Sequence, residues 1–177
     1  MKAKLLLTLL AAVLCLCSCQ GDSGNLGGEL TVPLDRIAEA LQEGNVGLYE
    51  SAFPSEFVTG YRKVYGDLNE TLSALLYAAQ YKNRGDYGEN WTLTYEVKSK
   101  ESLSVDALPT SCTLDRFNDY VYTLPTQELQ GAAKVTLEVS FDGGMDEEQF
   151  EITYTFLCMD GSWYLHPMHF GTVLKRS

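Results

Sequence analysis

Between residues 30 and 170 the apolar positions recur first at helical spacing and then in alternation, with the change near Gly88. Leu34, Ile37, Ala38 and Leu41 stand at i, i+3, i+4 and i+7, with Pro33 suited to a first helical position and Gly44 to a stop. Leu48, Tyr49, Ala52 and Phe53 predict a short second helix ended at Pro54. Phe57, Val58 and Tyr61 predict a third, closing near Gly66. Asp67 and Glu70 form a pair resembling a capping box ahead of Leu68, Leu72, Leu75, Leu76 and Ala79. That is the strongest helical signal in the chain, and it is expected to end around Arg84-Gly85.

Past Gly88 the period is two. Trp91, Leu93, Tyr95 and Val97 alternate with Thr92, Thr94, Glu96 and Lys98. Ala133 to Phe141 and Phe150 to Cys158 alternate in the same way, and Trp163 to Pro167 predicts a fourth strand. Asp160-Gly161 between the last two is a type I′ hairpin signal. A two-residue turn there would set Met159 opposite Ser162, Cys158 opposite Trp163, Phe156 opposite Leu165 and Thr155 opposite His166, each pair on one face. In the stretch 103–130, Ser104 and Leu108 predict a turn, and Leu114, Phe117 and Val121 a short helix. Helices followed by such strands predict an α+β domain, with N-terminal helices on one face of a curved antiparallel sheet of about four strands.

Ahead of the helices, Lys2 and Lys4 precede the apolar run Leu5 to Leu16, shorter than the ~20 residues of a membrane span and flanked like a secretory signal. The run ends in Leu16-Cys17-Ser18-Cys19. This resembles the lipobox of bacterial lipoproteins: an aliphatic residue, a small residue beside the scissile bond, then the Cys that receives diacylglycerol. Cys17 departs from the pattern, since Ala, Ser, Thr or Val usually stands there. The resemblance implies a signal peptide over 1–18, a lipidated Cys19, a flexible tether over 19–29 and a single domain over 30–177. Two acyl chains are what stable anchoring takes. A ten-residue tether rich in Gly keeps the domain within ~16–19 Å of the bilayer on average. The expectation is an exported protein held on the outer side of the bacterial cell membrane.

Charge narrows the partners. The 177 residues carry 13 Lys and Arg against 24 Asp and Glu, and without Lys2 and Lys4 the imbalance grows. Nucleic acid is excluded, because phosphate neutralisation needs clustered cations. Anionic lipid repels such a domain, so the lipid must do the holding. One domain of this length is too small for a two-lobed solute-binding protein.

The features "YESAFP" (49–54), "YGDLNETLSALL" (65–76) and "MDGSWYL" (159–165), in this order of elements, resemble the cystatin-like and nuclear transport factor 2-like cone folds. The likeness covers about residues 30–170, and small bacterial lipoproteins share that shape. It includes enzymes, ligand-binding modules and domains that only pair, so it implies a fold rather than an activity. Enzymes of the fold resemble one another in carrying an Asp, Glu or His inside the cone as acid or base. Here no inward strand position is a carboxylate or a His. An enzyme would need groups from a helix or loop, such as Asp115 or Asp119.

Two residue sets remain as candidate sites. Trp91, Tyr95, Tyr154 and Trp163 share the inward parity and could line a pocket for a small ligand, or fill the core. Thr136, Thr153, Thr155, Leu157, Tyr164 and His166 share the outward parity. They could form a face of low charge for a second copy or another surface protein, or a solvated sheet. His166 and His169 have no convergent third ligand and read as surface residues. Asp142, Asp146, Glu147 and Glu148 read as a solvated hairpin tip rather than a calcium loop. Cys112 and Cys158 are expected to be free thiols. No cofactor or metal is implied. The leading expectation is a lipid-anchored, non-enzymatic binding domain, and the alternative is a small enzyme of the cone fold.

Overall fold

The computed structural model describes residues 29–65, 68–114 and 117–172. The leader, Cys19, the tether and Asp115 lie outside them, as does the side chain of Asp119. Pro33 stands in the first turn of α1 (Val32–Glu43), which Gly44 ends at φ 72° with its N–H on the Ala40 carbonyl at 2.8 Å. The Asn45 side chain caps α2 (Val46–Ser51) by accepting the Leu48 N–H at 3.2 Å. In α3 (Ser55–Tyr65), Arg62 reaches back with two hydrogen bonds to the buried Glu50, so that carboxylate is paired rather than stranded. The fourth helix, α4 (Leu68–Tyr87), runs past the expected stop: Gly85 lies inside it, and Gly88, at φ 106°, closes it onto the Arg84 carbonyl.

The strands are β1 (Thr92–Leu103), β2 (Ser111–Leu114), β3 (Phe117–Thr123), β4 (Leu129–Asp142), β5 (Glu147–Met159) and β6 (Ser162–Leu165). Four of them form one antiparallel sheet in the order β1-β4-β5-β6, preceded by the helices, as an α+β domain requires. The hairpin register is the expected one: Cys158 opposes Trp163 and Phe156 opposes Leu165 across Asp160 (φ 49°) and Gly161 (φ 71°). Val135, Leu137, Val139, Phe156 and Leu165 fill the face under the helices with no exposed surface. Helix α1 touches both edge strands, β1 and β6. The Lys100 ammonium of β1 also stands 5.8 Å over the Trp163 ring of β6, so the sheet curls around α1.

Two features depart from the sequence pattern. Strands β2 and β3 pair antiparallel as a separate two-stranded sheet, where a short helix is expected. The buried side of β3 is set by Tyr120 and Tyr122, which lie against Phe57 of α3 with ring centroids at 6.0 and 5.4 Å. Val121, one of the helical-spacing positions, is exposed. The second departure is a bulge in β1. Val97 opposes Leu137 but Ser99 opposes Thr136, so Lys98 is the extra residue. Beyond it the parity flips, turning Lys100 inward and Leu103 outward. The bulge also lets the Lys98 ammonium meet Glu138 at 2.7 Å and Glu96 at 3.0 Å, two carboxylates that face each other across the strands.

Candidate functional site

The four inward aromatics share a face but do not gather. Trp91 precedes β1 and stacks on Phe141, centroids 6.1 Å apart. Tyr95 opposes Val139 of β4, Tyr154 opposes Val135, and Trp163 lies level with Gly131 through Cys158. At ~3.3 Å per strand residue the set therefore spans more than 30 Å along the sheet. Each ring also has its own structural contact. The Tyr95 hydroxyl donates to the Asp35 carboxylate of α1, and burial followed by that bond pushes its ionisation up. Tyr154 meets the His169 ring edge-on at 5.0 Å, and Trp163 lies under Lys100. These residues pack the core and do not converge on one pocket.

The outer sheet face departs further from the expected open surface. Leu103, Ala132, Leu157 and Tyr164 form one outward row across β1, β4, β5 and β6. That row is covered by the chain itself. The turn Val105–Ala107 packs on β4, and Leu108, Leu124, Ala132 and Leu157 belong to one buried cluster. Leu157 has no exposed surface and His166 has 1%, so neither can belong to a partner face. Thr136 and Thr153 remain on the outer side, with their hydroxyls 3.0 Å apart. Thr155 and Tyr164 are half-buried.

His166 and His169, expected at the surface, finish the sheet instead. The His166 N–H bonds the Thr155 carbonyl at 2.9 Å, continuing the β5–β6 ladder by one residue. Pro167 then turns the chain, and the His166 carbonyl accepts the His169 N–H at 3.0 Å rather than the Thr155 N–H. The Thr155 N–H is taken by His169 Nε2 at 2.9 Å, so an imidazole stands in for the missing strand carbonyl. His166 Nδ1 accepts the Met168 N–H at 3.1 Å. Both rings must therefore be neutral, and burial pushes each down to about 4, with His166 adding to the effect on His169.

Comparisons with protein-family models, with curated proteins and with solved structures give no match. What the chain can do rests on its own surfaces. Among the described residues no group of three or more His, Cys, Asp or Glu is placed to hold a metal ion. At the hairpin tip, Asp142 accepts the Gly144 N–H, Asp146 accepts the Glu147 N–H and Glu148 accepts from the Tyr87 hydroxyl. Cys112 and Cys158 are free thiols, and burial raises both, Cys112 to about 11.

The sequence reading missed α4's outer side. Leu72 and Leu76 bury one stripe of this helix, and the helix packs on α1 and α2. The opposite stripe carries Ala74, Tyr77, Ala78 and Tyr81. Tyr77 is 68% and Tyr81 73% exposed, and their rings stack at 6.5 Å. The signal was present: Leu72 and Leu76 on one side and Tyr77 and Tyr81 on the other follow the same 3.6 period in opposite phase.

Proposed function

We propose that the protein is a bacterial lipoprotein whose folded part is a non-enzymatic interaction domain, held by Cys19 on the outer side of the cell membrane. The observation that carries this reading is the run Leu5 to Leu16 ending in Leu16-Cys17-Ser18-Cys19, followed by a Gly-rich tether that leads straight into α1. The acidic balance of the chain fits a domain that stands off an anionic surface and keeps its own faces free for a protein or a small ligand. The curl of the sheet around α1 supports the likeness to the cystatin-like and nuclear transport factor 2-like cones.

The test is Cys19→Ala expressed in a bacterial host with a labelled fatty acid. The variant loses the label, and its precursor stays unprocessed or the protein appears in the medium. Labelling equal to wild type removes Cys19 as the anchor and the function with it.

A further inference from the structure

Strand β5 is longer than the strand that pairs with it on the side away from β4. The short β6 covers only Phe156 to Met159, and His166 and His169 take up the Thr155 carbonyl and N–H. Backbone polar groups alternate between the two edges of a strand, so those of Glu147, Gln149, Glu151 and Thr153 point the same way as those of Thr155. Among the described residues no strand pairs with them. The other free edge of the sheet, along β1, is interrupted by the bulge at Lys98, and a bulge and an edge lysine both discourage a strand from adding there. On β5 the register with β4 runs unbroken from Glu147 to Cys158, and residues 147–153 hold neither Pro nor Lys.

The side chains on this edge define the strand that fits it. Glu96, Glu138 and Glu151 stand in one row across β1, β4 and β5. Lys98 pairs with the first two, and among the described residues no cation pairs with the exposed Glu151 or Glu147. Lys134 lies further along the sheet, level with Thr155 and opposite Glu101. A strand added to β5 sets one of its residues beside Glu151, and a cation there balances a row that holds three carboxylates and one lysine. On the other face Phe150 and Ile152 are half-buried, which calls for apolar residues alternating with the cations. A second copy of this chain fits poorly, because pairing β5 with itself brings the Glu147, Glu148 and Glu151 carboxylates of two acidic chains together. We propose that the edge of β5 over 147–153 binds an extended segment of another protein, alternating cationic and apolar residues, as an added antiparallel strand in line with β6. This deepens the interaction-domain reading, on which it rests, by naming the edge and the chemistry of the partner.

The test titrates the full chain, in detergent, into a fluorescent peptide of alternating Lys and Val, read by anisotropy. Wild type is expected to bind this peptide, and Glu151→Lys to bind it several-fold more weakly. Glu101→Lys, the same change of charge on exposed β1, should leave the affinity unaltered. Backbone methylation separates strand pairing from attraction of charge. In the antiparallel arrangement the residues opposite Glu151 and its alternates turn their N–H toward β5, so the peptide N-methylated at its Lys residues should not bind. The peptide N-methylated at its Val residues should bind like the parent. No binding by wild type, equal loss in the two charge variants, or equal binding of the two methylated peptides each overturns the inference. Binding that appears only after residues 173–177 are removed means the chain covers its own edge, and a dimer split by the peptide means a second copy does; either overturns it too. Labelling of Cys19 separates this failure from that of the anchor. A labelled Cys19 with no peptide bound overturns this inference alone, whereas an unlabelled Cys19 overturns the anchor and leaves the edge to be decided by the titration.

Discussion

Gly143 passes over the backbone of Tyr87 so closely that a Cβ there would overlap the Tyr87 carbonyl, the same oxygen that accepts the Met145 N–H at 3.2 Å. The obstacle is backbone, which cannot swing aside as a flexible side chain would. Gly143→Ala should therefore cost about 1–3 kcal/mol, the usual range for forcing an extra carbon into a packed site. Gly85 is the opposite case. It lies inside α4 with nothing within 4 Å of a Cβ, so its missing side chain serves no contact. Gly85→Ala should stabilise by roughly 0.5–1 kcal/mol through helix propensity. Urea midpoints of the two variants should move in opposite directions. Equal shifts of one sign would show that the β4–β5 tip does not hold α4's C-terminus as described.

At the scale of elements, what the sequence made legible depended on whether an element's partners were local. The four helices, the β5–β6 register and the inward face of β4 follow from spacing and turn chemistry within a dozen residues. The β2–β3 pair does not. Its apolar residues fall on both faces, because Tyr122 and Leu124 are buried while Val121 is exposed, and Leu114, Phe117 and Val121 imitate a helical period by coincidence. The cover over the outward row was also illegible as a path, since the Val105–Ala107 turn that packs on β4 comes from another part of the chain. Yet Leu157 carried a hint, being an apolar residue among outward threonines. The consequence is testable within one strand pair. Leu157→Lys buries an unpaired charge and should abolish folding, whereas Thr136→Lys, on the part of the same face left uncovered, should change stability by no more than about 0.5 kcal/mol. Phe170, just past the Pro167–His169 turn, sits among Phe53, Phe57 and Tyr61 with centroids at 5.1–5.2 Å. Its truncation to Ala should cost about 3–5 kcal/mol, measured by chemical denaturation. A small loss would mean the C-terminal segment is not part of the core.

Over the whole molecule, the two histidines tie the edge of the main sheet to the aromatic cluster of α2, α3 and β3, and they make that junction sensitive to acid. Both rings are neutral in the folded protein, pushed down to about 4 by burial, and both return to about 6.5 when the chain unfolds. The unfolded state then binds more protons than the folded state between those two values. Their contribution to stability is complete above pH ~6.5 and is lost as pH falls toward ~4, with a slope of no more than about 3 kcal/mol per pH unit for two protons. Most carboxylates stay ionised down to pH ~5, so between pH 6.5 and 5 the histidines dominate the change. His169→Gln separates charge from geometry, because a Gln side-chain oxygen can reach the Thr155 N–H but does not titrate. The variant should keep near-normal stability at pH 7 and lose it with about half the wild-type slope on acidification. A wild-type denaturation midpoint that is flat from pH 7 to 5, or two imidazole resonances titrating near 6.5, would show that the rings are open to water and that His169 does not complete the ladder.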